Sequence, residues 1–123
     1  MSRVLRHDVI TLHGGVSEED FERFMEGELI PYFSERYRGP TRSSRADLKS
    51  QSLLRDTKGR RKWLWVTGWE GSPESVRGAS FEHARMSRLE ETDAMLGRLD
   101  AFGRRAAEKV FSETASAEVA TNR

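Results

Sequence analysis

Trp63, Trp65 and Trp69 lie close together in this chain of 123 residues. Because side chains alternate across a strand, their i, i+2, i+6 spacing places the three indoles on one face, with Thr67 between them. An indole wall could stack a planar aromatic ligand, and the ring N–H groups could orient the oxygens of that ligand. The alternative is that these large rings fill a core or an interface between two copies of the chain.

His83 and Asp8 are the two candidate acid–base groups. Imidazole titrates near neutral pH, so His83 could remove a proton from a phenol or serve as an axial haem ligand; an ordinary polar histidine is the alternative. Asp8 lies within an apolar segment, where a closed cavity would suit a general base. An ion pair with Arg6 or with a basic residue of the next strand is the alternative. Tyr32 could donate a hydrogen bond to a bound oxygen or simply belong to an apolar helix stripe.

The sequence excludes several classes of chemistry. It has no cysteine, which rules out disulfides, thiolate metal sites and a cysteine nucleophile. His7 and His13 share a strand face but lie about 20 Å apart, too far to bind one metal ion. No cluster has metal-ligand spacing, and no Walker loop or dinucleotide fingerprint occurs.

The N-terminal segment has no apolar run typical of a signal peptide. No other segment approaches the roughly 18–20 apolar residues that cross a membrane. We therefore predict a cytoplasmic protein with no membrane partner.

The elements that must position these residues begin with a strand over 4–13, stopped by Gly14 and Gly15. Ser17 then caps a helix with an aromatic stripe, in which Pro31 should kink or end the helix. A hairpin follows, with strands over 51–55 and 62–69.

The second half of the chain is predicted to start with a short helix after Ser72 and a longer one capped by Ser80. Apolar and small residues recur at helical spacing in the longer helix: Leu89, Thr92, Leu96, Leu99, Gly103, Ala106 and Val110. Residues 109–114 form either a last strand or the end of that helix. With a strand there, the order is βαββαβ, which is an α+β domain of the ferredoxin-like type. We predict one such domain over 1–111, a basic loop over 38–49 and a disordered tail over 112–123.

Positive charge is concentrated in residues 36–62. This segment carries ten Lys or Arg against two Asp, a net charge of +8, so the rest of the chain carries −7. Such a segment could bind an anion or nucleic acid. The favoured alternative is a solvated loop and hairpin edge that discourages aggregation, because the aromatic signature of RNA-recognition sheets is missing.

Two stretches carry a family resemblance: HDVITLHGGVSEEDFERF over 7–24, and WVTGWEGSPES over 65–75 followed by SFEHA over 80–84. They resemble the antibiotic-biosynthesis-monooxygenase group of dimeric α+β barrels. The resemblance implies a homodimer whose two sheets close a barrel, with a ligand cavity between each sheet and its helices. Members of the group include cofactor-free oxygenases that form quinones from aromatic polyketides, and haem-degrading monooxygenases.

In the haem-degrading branch an Asn, a Trp and a His carry the site. The Trp matches Trp69 and the His matches His83, but Asp8 occupies the Asn position and the Trp–His spacing is shorter. We therefore predict no cofactor, with haem as the less favoured alternative.

The leading hypothesis is a monooxygenase-like homodimer acting on an aromatic or polycyclic substrate in the space bounded by Trp69, His83 and Asp8. The alternatives are a non-catalytic ligand-binding or structural dimer, and anion or nucleic-acid binding by residues 36–62.

Overall fold

A single antiparallel sheet and the helices on one of its faces make up the computed structural model. The structure describes residues 3–38, 47–72, 76, 89–106, 109–117 and 119. The strands are β1 (Arg3–Leu12), β2 (Asp47–Arg55), β3 (Lys62–Glu70), β4 (Gly103–Arg105) and β5 (Lys109–Ser112). Their order is β2-β3-β1-β4, and β5 also pairs with β1. This confirms the predicted ferredoxin-like α+β architecture, and of the two alternatives left open for residues 109–114 the structure shows a strand.

The central strand β1 alternates strictly between its two faces. Val4, Arg6, Asp8, Ile10 and Leu12 are buried, whereas the residues between them are half-buried. The tryptophans lie on the same face, because β3 pairs Trp63 with Ile10, Trp65 with Asp8 and Trp69 with Val4. The predicted common face of the three indoles is therefore confirmed.

The first helical segment continues through Pro31 instead of ending there. It consists of α1 (Glu18–Phe24), a π-helical turn (Met25–Leu29) and α2 (Ile30–Arg36). Ser17 caps α1 as predicted, accepting a 3.1 Å hydrogen bond from the Asp20 N–H. In the π-helical turn the Ile30 N–H donates to the Met25 carbonyl, so the hydrogen-bond register shifts just before Pro31. That shift lets the helix continue past a residue without an N–H.

The core is an aromatic layer between this helical segment and β3. Phe21 meets Trp63 with ring centroids 5.0 Å apart, and Phe33 meets Trp65 at 5.1 Å. Both pairs are edge-to-face, the arrangement that aromatic quadrupoles favour. The aromatic stripe predicted for the helix is therefore the surface that covers the indoles.

The last described helix, α3 (Leu89–Phe102), ends earlier than its helical pattern predicted. Its last turn gives way at Gly103 to β4, so the predicted continuation of the stripe to Val110 is wrong. A Cβ on Gly103 would lie 2.7 Å from the Thr11 carbonyl oxygen. Only glycine lets the backbone approach β1 this closely, and pairing with β1 replaces further helix.

The second strand, β2, starts earlier than the sequence predicted. Residues 47–50 belong to β2, with a bulge between Leu48 and Ser50, whereas the sequence predicts a basic loop up to residue 49. The predicted helix starts at Ser72–Pro73 and Ser80 depend on residues that lie outside the described part. No helix in the described ranges is long and apolar enough to cross a membrane.

Candidate functional site

A buried ion pair lies in the middle of the helix-facing side of the sheet. Arg6 is 7% exposed and Asp8 is 2% exposed. The Arg6 Nε donates to Asp8 Oδ2 at 3.1 Å, and Nη2 donates to Oδ1 at 3.3 Å. Their i, i+2 spacing on β1 puts both side chains on the same face, which confirms the ion pair considered for Asp8.

The ion pair is bordered by aromatic and polar side chains of β3. Asp8 stands opposite Trp65, and Arg6 stands opposite Thr67. Trp69 lies two residues beyond Thr67, so the Arg6–Thr67 pair separates Asp8 from Trp69 along the sheet. The sequence predicts that Asp8 and Trp69 border one common space. In the structure, the direct cross-strand neighbour of Asp8 is Trp65 and not Trp69.

An open cleft of about 530 Å³ reaches this ion pair. Arg6 and Asp8 line it together with His13, Asp100 and the chain from Gly103 to Ala106. β4 pairs with β1 at Ile10–Leu12 and β5 pairs with it at Val4–His7, so Asp8 lies between the two pairings. The cleft has the size of a small-molecule site, and most of the residues that line it are polar or charged.

The mouth of the cleft is formed by His13, Asp100 and Arg105, and contacts around the end of α3 stabilise it. Arg105 binds the Asp100 carboxylate through Nε at 2.8 Å and Nη2 at 3.2 Å. His13 Nε2 lies 2.9 Å from the Asp100 carbonyl oxygen, and the His13 backbone N–H donates to the Phe102 carbonyl at 3.0 Å. Since a carbonyl oxygen only accepts, His13 Nε2 carries the hydrogen. His13 thus satisfies two carbonyls at the C-terminal end of the helix.

The indole N–H groups are bonded within the protein. Trp63 donates to Glu22 Oε2 at 2.9 Å, Trp65 to Gln51 Oε1 at 3.0 Å and Trp69 to Thr67 Oγ1 at 2.8 Å. The three rings are at most 2% exposed. These rings therefore belong to the core, and their contact with a substrate stays a prediction.

Tyr32 contributes to a cluster of hydroxyl groups between helices. The hydroxyl groups of Tyr32 and Tyr37 lie 2.9 Å and 3.1 Å from Thr92 Oγ1, which is buried on α3. Tyr37 also meets Trp69, with ring centroids 5.9 Å apart. Tyr32 thus joins α2 to α3, and its predicted contact with a substrate oxygen stays a prediction.

His83, the predicted general base, lies outside the described residues. The sequence did not point to His13, Asp100 or Arg105, which the fold brings to the same cleft as Asp8. They come from the end of β1, the end of α3 and β4, and no motif links these segments. Within the described ranges no group of three His, Asp or Glu side chains could hold a metal ion.

Several described cations of the basic segment 36–62 are paired with acids. Arg36 binds Glu91, Arg55 binds Glu18, and Arg60 binds Asp56 at 2.6 Å. Lys49 binds Asp47 at 2.8 Å, and this hydrogen bond is the main cause that raises the Lys49 pKa. Glu18 and Glu91 come from the acidic remainder of the chain, which therefore offsets part of the local +8 charge.

Solved structures with this fold include one protein that is named as an oxygenase. SnoaB, a cofactor-independent oxygenase from Streptomyces nogalater, matches with a TM-score of 0.61 and 15% identity, covering 94% of this chain and 97% of SnoaB. A Bordetella bronchiseptica protein assigned to the antibiotic biosynthesis monooxygenases matches with a TM-score of 0.59 and 15% identity, covering 95% of this chain and 100% of its own.

A Caulobacter crescentus protein with the same assignment matches with a TM-score of 0.53 and 11% identity, covering 94% and 92% of the two chains. No protein-family model matches the sequence, and no curated protein does. At these identities the similarity establishes the fold. The chain has the ferredoxin-like fold of the antibiotic-biosynthesis-monooxygenase group.

Proposed function

We propose that this protein is a cofactor-independent monooxygenase that converts an aromatic or polycyclic substrate to a quinone. The observation that carries the proposal is the buried Arg6–Asp8 ion pair at the end of an open cleft of about 530 Å³. The fold shared with SnoaB, a cofactor-independent oxygenase, adds support.

A buried ion pair of this kind suits a reaction that starts by removing a proton. In many proteins the desolvation free energy of two buried charges exceeds the free energy gained from their attraction. A buried ion pair is therefore a poor means of stabilising a sheet. In a cleft, a carboxylate can accept a proton and a guanidinium can stabilise the anion that forms. Asp8 takes the first role and Arg6 the second.

The chemistry needs an acidic methylene that is conjugated with a carbonyl through aromatic rings, as in a hydroxyanthrone, where the two groups lie on opposite sides of the central ring. Asp8 removes one methylene proton, and Arg6 stabilises the resulting enolate or phenolate. The anion passes an electron to dioxygen, and the two radicals combine to a peroxide anion. This anion takes the proton back from Asp8, and the resulting hydroperoxide loses water to leave a carbonyl. One methylene and one dioxygen give one carbonyl and one water, so no cofactor is needed. His83 remains a second candidate for the base.

We also propose that the protein acts as a homodimer. The sheet face opposite the helices carries half-buried apolar side chains, and Leu54 and Phe111 are 51% and 48% exposed. An apolar sheet face needs a covering layer, and a second copy of the same sheet provides one.

The test is oxygen uptake by the purified, chelator-treated protein with 1,8-dihydroxyanthrone. The proposal expects dioxygen consumption and quinone absorbance to rise together in a one-to-one ratio, above the rate without protein. Oxygen uptake no faster than in the protein-free control, with this compound and with anthrones of other hydroxylation patterns, would refute it.

The hydrogen bonds that the three indole N–H groups make within the protein favour a second candidate function, a non-catalytic ligand-binding dimer. Trp63, Trp65 and Trp69 donate their N–H groups to protein acceptors, as core residues do. Saturable binding of the anthrone without any oxygen uptake would favour this candidate.

A further inference from the structure

Arg61 adopts a backbone conformation that arginine rarely takes. Its φ is +58°, in the left-handed region where glycine and asparagine are favoured. Gly59, two residues earlier in the same hairpin loop, has φ +67° and is the ordinary residue for such a position. Something besides the turn must therefore favour arginine at position 61.

The side chain of Arg61 reaches from the hairpin to the turn between β1 and α1. Its Nη2 donates to the His13 carbonyl at 2.9 Å and to the Val16 carbonyl at 2.7 Å. Its Nη1 lies 3.7 Å from Glu18 Oε2, at the start of α1. The Leu12 N–H also donates to the Arg61 carbonyl at 3.0 Å, which ties the two backbones together. One residue thus holds both sides of the turn.

The turn that Arg61 holds carries His13 to the mouth of the cleft. Both the ring and the backbone N–H of His13 bond to the end of α3, where Asp100 also binds Arg105. A displaced turn would move His13 away from α3 and change the shape of the mouth. Arg61 itself does not line the cleft, so any influence on a ligand acts through His13.

We propose that Arg61 is a positioning residue that fixes the 13–16 turn and thereby the mouth of the cleft. The left-handed backbone aims the guanidinium at two carbonyls, and the bonds to those carbonyls keep the backbone in that conformation. The consequence for catalysis rests on the proposed function, whereas the hold on the turn does not.

The experiment compares Arg61→Gly with Arg60→Gly, a matched control in the same loop whose side chain binds only Asp56 among the described residues. Glycine adopts a positive φ without strain. If Arg61 served only the turn, Arg61→Gly would therefore leave the stability of the protein unchanged or raise it. We expect amide hydrogen exchange over 13–17 to accelerate about tenfold in Arg61→Gly, from the loss of two hydrogen bonds, and to stay unchanged in Arg60→Gly. Millimolar guanidinium, far below denaturing concentrations, should restore the protection in Arg61→Gly alone.

With 1,8-dihydroxyanthrone as substrate, Arg61→Gly should raise KM about tenfold with kcat nearly retained. Unchanged exchange over 13–17, or equal effects of Arg60→Gly, would overturn the proposal. Accelerated exchange over 13–17 with an unchanged KM would show that Arg61 fixes the turn but does not affect the cleft, and this part of the proposal would be overturned. If the unsubstituted protein oxidises no anthrone, the proposed function fails, and hydrogen exchange with guanidinium rescue still decides whether Arg61 holds the turn.

Discussion

Arg6 and Asp8 lie two residues apart on β1 and join their side chains on its buried face through two hydrogen bonds of 3.1 Å and 3.3 Å. Two apolar residues there would bury at lower cost, because ions lose their hydration. The proposed function gives this charged pair at the end of a cleft a chemical role.

If the pair is not kept for stability, removing both charges should be tolerated. We expect Asp8→Leu alone to lower the free energy of unfolding by about 3–5 kcal/mol, because Arg6 is left buried without its carboxylate. The double variant Arg6→Met/Asp8→Leu should recover most of that loss. Urea unfolding of the wild type, both single variants and the double variant measures the coupling. A double variant at least as unstable as Asp8→Leu would contradict this prediction and show that the charged pair contributes to stability.

Gly103 and Gly97 provide a second, matched comparison. A Cβ on Gly103 would meet the Thr11 carbonyl oxygen at 2.7 Å, whereas a Cβ on Gly97, within α3, meets nothing within 4 Å. Gly103→Ala should therefore push β4 away from β1 and lower the melting temperature. Gly97→Ala should stabilise the protein by up to about 1 kcal/mol, since alanine favours the helix. Thermal unfolding decides, and a neutral Gly103→Ala would contradict the close pairing of β4 with β1.

Stability should depend on pH through Glu28. The hydrogen bond from Arg98 holds the pKa of Glu28 below its ordinary value of 4.5, against a smaller opposing effect of burial. A lowered folded-state pKa gives stability that is complete above about pH 4.5 and is lost as the pH falls through the folded-state value. When the urea midpoint is plotted against pH, the midpoint of the wild type should fall below about pH 4.5. In Glu28→Gln this fall, the acid limb of the plot, should be smaller.

The control for this prediction is Glu26→Gln in the same π-helical turn. Glu26 makes no ion pair with any described residue, so this variant should keep the acid limb of the wild type. If Glu28→Gln also keeps that limb, its pairing with Arg98 contributes nothing to the pH dependence.

The proposed dimer predicts that polar residues on the outer sheet face will separate the subunits. Phe111→Ser and Leu54→Ser should convert a dimer of about 28 kDa into a monomer at micromolar concentration, as measured by light scattering. Val119→Ser is the control, because Val119 is also an exposed apolar residue, at 93%. A monomeric wild type, or a dimer that survives both substitutions on the sheet, would contradict the proposal.

Local patterns were sufficient to predict much of the fold. The alternation along β1, the Ser17 cap and the shared face of the three tryptophans follow from backbone periodicity and hydrogen bonding within a few residues. The early start of β2 and the end of α3 at Gly103 were not predictable in the same way. The first depends on pairing with β3 and the second on the close approach to β1, and both are contacts between distant segments.

The candidate site was predictable only in part. The Arg6–Asp8 pair follows from i, i+2 spacing on one strand. His13, Asp100 and Arg105 had no sequence signal, because their neighbourhood arises from the way α3 ends against β1. The role of Arg61 depends on a backbone dihedral angle that no residue pattern in the hairpin indicates.

The most direct test of the proposed function is the rate of quinone formation by Asp8→Asn relative to the wild type. Asparagine keeps the size of the side chain and one acceptor for Arg6 but accepts no proton, so kcat should fall by at least about a hundredfold. Circular dichroism and urea unfolding must show that the variant is folded at the assay temperature. A folded Asp8→Asn variant that forms quinone within a few-fold of the wild-type rate would contradict the assignment of Asp8 as the base.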